Sequence, residues 1–143
     1  MIRPVIVTMA VAIGVTAVVA QSDPIAERKA IMKGNGQAAR TASQMIKGDV
    51  PFDLAKAQEI FTGFQTAATK MVVLFPDSSK AGDTTANDKV WSDAAAFKAA
   101  FEKFGADSKT AAGNTKDLDS FKAAFGAVAQ NCNSCHTAYR KPT

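Results

Sequence analysis

The sequence predicts an all-α chain, an antiparallel up-and-down four-helix bundle, and three observations carry that prediction. Apolar residues recur at spacings of three and four in four separate stretches. No stretch alternates with the period of two that a half-buried strand requires. Alanine is abundant, and nine Phe stand against one Trp and one Tyr, a balance that suits packed helices better than twisted sheets. At 143 residues, 47% apolar and 21% charged, the chain is sized for one domain.

Helix one is expected to open at Ser22-Asp23-Pro24, where a capping side chain precedes proline at the first helical position. Ile25, Met32, Ala39, Ala42 and Ile46 form its apolar stripe, Lys33, Gln37, Arg40 and Lys47 fall on other faces, and Gly48 suits the C-terminal cap. Pro51-Phe52-Asp53 starts helix two, with Asp53 as cap and a stripe of Ala57, Phe61, Phe64, Ala68 and Met71; it should stop near Leu74, ahead of Pro76. Residues 76–88, PDSSKAGDTTAND, are polar and aperiodic, and read as a flexible surface loop. Helix three carries Trp91, Ala94, Phe97, Phe101 and Phe104 and is expected to fray over 111–114. Helix four starts near Lys116 or Asp117 and aligns Phe121, Phe125, Val128, Cys132 and Cys135 on one side.

Residues 1–20 stand apart. Arg3 is their one charge, Val5 to Val19 is an uncharged apolar run, and Val18 and Ala20 suit signal-peptidase cleavage after Ala20. The segment reads as a cleaved secretory signal peptide. An uncleaved membrane anchor is the alternative, but the run is shorter than the roughly 20 residues that a spanning helix needs. Cleavage leaves residues 21–143 as the mature domain, without stable membrane insertion, in the periplasm or outside the cell. The formal charge of +4 falls to +3 with the loss of Arg3, too weak and dispersed a balance to indicate nucleic acid.

Two Cys and one His exclude a disulfide-dense scaffold and a zinc site of four cysteines or of two cysteines and two histidines. All three residues fall in one pentapeptide, Cys132-Asn133-Ser134-Cys135-His136. This C-x-x-C-H motif is the attachment signal for c-type haem. On a helix, positions i, i+3 and i+4 share a face, so both thiols can form thioethers with the haem vinyl groups while the imidazole addresses the iron. A redox dithiol fits less well, because such pairs sit at a helix N-terminus where the dipole favours thiolate, and this motif lies near a C-terminal end. With the only histidine engaged, no nucleophile–base pair remains, and an enzyme is not expected.

Attachment near the C-terminus, on the last of four helices, resembles the class II cytochromes c, the cytochrome c′ and cytochrome c-556 group. The resemblance is carried by Arg28-Lys29-Ala30-Ile31-Met32, by Lys47-Gly48 with Pro51-Phe52-Asp53, by Val90-Trp91-Ser92-Asp93, and by Cys132 through Lys141. As the only histidine, His136 is the expected proximal iron ligand. The sixth position then holds a methionine or nothing. The resemblance directs attention to the helix-one position four residues after the arginine, which is a methionine ligand in the low-spin branch and an apolar side chain over an empty site in cytochrome c′. Here it is Met32; Met45 and Met71 fit core stripes instead. The resemblance also implies that Arg28 pairs with a haem propionate and that Arg140 lies over the proximal imidazole edge. Gly34 and Gly36, each about 1 kcal/mol worse than Ala in a helix, read either as close approach of backbone to haem or as local fraying. The function implied is a periplasmic monohaem electron carrier with His/Met iron, the alternative being a five-coordinate cytochrome c′ that binds NO or CO. Its expected partners are periplasmic redox proteins, and either a monomer or a homodimer fits the stripes.

Overall fold

Three aspartates fix where three of the long helices begin. In the computed structural model, which describes residues 23–142, Asp23 accepts a hydrogen bond from the Ile25 amide at 2.8 Å, and Pro24 opens α1, Pro24–Lys47. Gly48 closes that helix with φ 81°, a left-handed conformation that glycine adopts without strain. Asp53 accepts from the Lys56 amide at 2.8 Å and starts α2, Leu54–Met71. A 3-10 turn at Asp77–Ser79 and a single helical turn, α3, Lys89–Ser92, precede α4, Ala94–Asn114. Asp117 and Ser120 then cap α5, Leu118–Tyr139, reciprocally: the carboxylate accepts from the Ser120 amide at 2.8 Å, and the Ser120 hydroxyl accepts from the Asp117 amide at 3.0 Å. The expected signal peptide and its cleavage point lie outside the described residues.

The long helices α1, α2, α4 and α5 make the expected bundle, and no helix among the described residues is long and apolar enough to cross a membrane. The closest pairing is α2 with α4. Gly105 explains the fit, because a Cβ there would lie 3.3 Å from the Ala68 Cβ. Phe61 and Phe121 are fully buried with ring centroids 5.6 Å apart, and Phe64 packs on Phe104 at 5.7 Å. The first pair meets edge to face and the second is tilted, and such aromatic contacts add to the burial of the rings. A second aromatic group joins Phe75, Phe97, Phe101 and Tyr139, with Phe97 at 4.7, 5.1 and 5.0 Å from the other three respectively. By contrast α1 and α5 touch each other far less.

Three expectations need correction. Helix three is not continuous from Trp91: the chain bends at Asp93 (φ −126°, ψ 48°), separating α3 from α4. The indole N–H of Trp91 donates to the Phe75 carbonyl at 3.0 Å, and this bond, with ring packing on Phe75, is met from a separate turn. Residues 111–114 do not fray, since α4 continues to Asn114 and Ala111 is buried. Residues 76–88 are not a loose loop. Arg28, 5% exposed, donates from Nη1 to the Leu74 carbonyl (2.9 Å) and Ser79 Oγ (2.8 Å), and from Nη2 to the Ser79 carbonyl (3.4 Å) and Thr84 Oγ1 (3.2 Å). A guanidinium stays charged throughout the accessible pH range, and burying it without partners costs several kcal/mol, so these oxygens must be held in place. The polarity that marked the segment as a loop is what supplies its acceptors.

Candidate functional site

The poor contact between α1 and α5 leaves a cavity of about 530 Å³ at one end of the bundle, inside the range of roughly 300–1,000 Å³ typical of ligand sites. Met32 and Gly36 of α1 form one side, Phe101 of α4 the back, and Cys132, Cys135 and His136 of α5 the other side. A smaller inner space of about 140 Å³ shares Met32, Cys135, His136 and Arg140 and extends to Met71 and Phe97. Both spaces therefore meet at the same residues.

The helix places these groups as the pentapeptide spacing requires. Cys132 and Cys135 are one turn apart on α5, both free thiols, the first exposed and the second half-buried. Burial pushes the half-buried Cys135 thiol above the ordinary cysteine value, and Cys132 raises it further. A redox dithiol needs the opposite shift. Burial, and secondarily the charge of Arg140, hold the His136 pKa below its usual value, which favours the neutral imidazole that a metal ligand must present. Asn131, beside Cys132, donates from Nδ2 to Asp107 Oδ2 at 2.8 Å and so ties this part of α5 to α4.

Met32, half-buried, lines both spaces, whereas Met45 is 2% exposed in the core, as its stripe predicts. Met71, 3% exposed, reaches only the inner space. Arg140 caps α5, its amide donating to the His136 carbonyl at 3.2 Å, and borders both spaces. Arg28 has four of its five N–H donors directed to protein oxygens, and its Cζ lies 4.4 Å from the Phe75 ring centroid. Helix α1 is unbroken through Gly34 and Gly36, so neither glycine marks fraying; Gly36 borders the cavity, and no protein atom lies where its Cβ would be. The sequence reading missed Ser79, Thr84 and Asn87, whose bonds join helices distant in the chain. No local signal marks such partners.

The cavity, the paired thiols and the adjacent imidazole together match a covalently held haem, and residues 23–140 match the sequence profile of the family described as Cytochrome C′. The chain belongs to the cytochrome c′ family. It is 43% identical over 123 residues to a cytochrome c′ of Rhodopseudomonas palustris, spanning 85% of this chain and 84% of that one. To a cytochrome c-556 of the same organism it is 31% identical over 145 residues, spanning 98% and 97%. The solved structure of a Rhodopseudomonas palustris cytochrome c′ superposes with a TM-score of 0.81 at 41% identity, over 86% of this chain and 99% of the other. The protein is thus a class II c-type cytochrome with covalently attached haem c and its iron. Cytochromes c′ and c-556 are both among its relatives, and the two branches differ at the iron's sixth position.

Proposed function

We propose that this cytochrome is a periplasmic one-electron carrier whose iron is held by His136 and Met32. Cys132 and Cys135 would form the thioethers, and their one-turn spacing on α5 would fix the macrocycle against the helix. Haem, once bound, supplies an iron that cycles between the ferric and ferrous states. The protein's contribution is orientation, burial and axial chemistry. The observation that carries the reading is the position of Met32, half-buried on the α1 side of the cavity that His136 borders from α5, while Met45 is in the core and Met71 reaches only the inner space. A thioether ligand stabilises ferrous iron and tends to raise the reduction potential. The Arg28 Nε–H is the donor left for a propionate once the other four are committed, and Arg140 beside His136 remains placed for the proximal side. Lys29, Lys33 and Arg140 border the cavity and, among the described residues, no carboxylate does, which suits transient encounter with an acidic redox protein.

The test is the absorption spectrum of the reduced protein with and without CO. Sharp α and β bands that CO leaves unchanged are expected. A broad high-spin spectrum that CO alters would replace this reading with a five-coordinate, gas-binding cytochrome c′.

A further inference from the structure

Residues 84–87 are bonded on both sides, and each side leads to one of the two ligand-bearing helices. On the α1 side, the buried Arg28 holds Ser79 and Thr84, and the exposed Lys29 pairs with Asp83. Arg28 is one helical turn before Met32. On the α5 side, the Asn87 amide donates to the Tyr139 carbonyl at 3.0 Å, and Asn87 Nδ2 donates to the Ala138 carbonyl at 3.0 Å. The Lys141 amide donates to the Thr85 carbonyl at 2.7 Å, and Ala86 bridges to Arg140, one turn after His136. Thr84 belongs to both sides: its Oγ1 accepts from Arg28 at 3.2 Å and its carbonyl accepts from Lys141 Nζ at 3.3 Å. A continuous chain of bonds thus runs from the turn before Met32 to the turn after His136. Little else joins those helices directly, since α1 and α5 have few contacts and the cavity lies between them.

We propose that residues 76–88 are a strap that sets the offset of the Met32 helix from the His136 helix, with Arg28 and Asn87 as positioning residues for the sixth coordination position. The inference rests on the reading of Met32 and His136 as the groups facing the iron. Side chains at such a centre must be held to within about half an ångström, and helices with little mutual contact cannot provide that alone. The strap is tied at several points, and its bonds to backbone carbonyls leave little freedom in where it attaches. Arg28 supplies the α1 anchor because a planar fork meets several oxygens at once, which a lysine ammonium on a flexible stem does not reproduce.

The experiment compares the holo-protein with Arg28→Lys, Asn87→Ala and the control Asp117→Ala, which weakens the cap at the opposite end of α5. Thermal unfolding and the CO-bound fraction of the reduced protein after a fixed exposure are measured for each. Both strap variants are expected to become CO-reactive where the parent is inert, with a CO-bound fraction at least about tenfold above the parent's after a fixed exposure, while the control stays as inert as the parent, whatever its loss of melting temperature. The proposal is overturned if the strap variants melt earlier and yet respond to CO no more than the parent does, because the strap would then serve stability alone. Asn87 is only half-buried, so that variant decides the matter if Arg28→Lys does not assemble. The parent's own spectrum tests the Met32 ligand separately. If the parent proves five-coordinate, the ratio of variant to parent still reports the strap, because Met32 borders the same cavity.

Discussion

Methionine is usually packing material, since its flexible thioether fills irregular gaps, and the residue-scale question is which of three methionines is more than that. Met45 answers by burial in the core, and Met71 is nearly as buried but touches the inner cavity. Replacing Met32 by Ala should convert the reduced protein to a CO-reactive form, whereas Met71→Leu should leave CO without effect. Leu is chosen because Met→Ala at a buried position costs about 2–5 kcal/mol and would blur the comparison. Retention of the CO-inert spectrum in Met32→Ala would move the ligand to Met71. The thiols and His136 were legible because one pentapeptide on one helix holds them all. Arg28 was legible only as a cation at a family position. Its acceptors lie 46 to 56 residues away, and two of them are backbone carbonyls, for which residue type gives no signal.

Helix starts were legible for a simpler reason: capping is local, so Asp23, Asp53 and Asp117 could be read beside the stripes they introduce. The bend at Asp93 was not, because Trp91, Ala94 and Phe97 keep helical spacing across it, and the bond from Trp91 to Phe75 that accompanies it is made to another segment. Capping also titrates. The hydroxyl of Ser120, and then its amide, hold the Asp117 carboxylate below the ordinary aspartate range, and Lys103 with Asn131 does the same to Asp107. With a depressed folded pKa, the stabilisation is complete above the unfolded value and is lost as pH falls through the folded one. The urea midpoint should therefore decline as pH is lowered through and below the usual aspartate range. Asp117→Asn keeps a good cap without a titrating group and should show a shallower decline. Equal slopes in the two proteins would remove Asp117 from the explanation.

At the scale of the molecule, four amphipathic stripes and one long connection were enough to imply the bundle, but not where it would open. That depends on the unequal pairing of helices, close at Gly105 and Ala68 and slight between α1 and α5. The opening brings Lys29, Lys33 and Arg140 to its border without a carboxylate among the described residues that line it. Lys29 is partly neutralised by Asp83, so the exposed Lys33 and Arg140 carry most of the local field. The overall charge is only +4, and haem propionates would reduce it, so any attraction must come from this local arrangement. Electron transfer to an acidic redox protein should then slow by about tenfold or more from low to high salt, as screening shortens to about 8 Å at physiological ionic strength. Lys33→Glu should slow the reaction at low salt and converge with the parent at high salt, because only the encounter is altered and the iron ligands are untouched. Stopped-flow rates over a salt series measure both effects. Parallel curves offset at every salt concentration would place the effect of Lys33 at the site itself, and a rate indifferent to salt would exclude electrostatic docking at this opening.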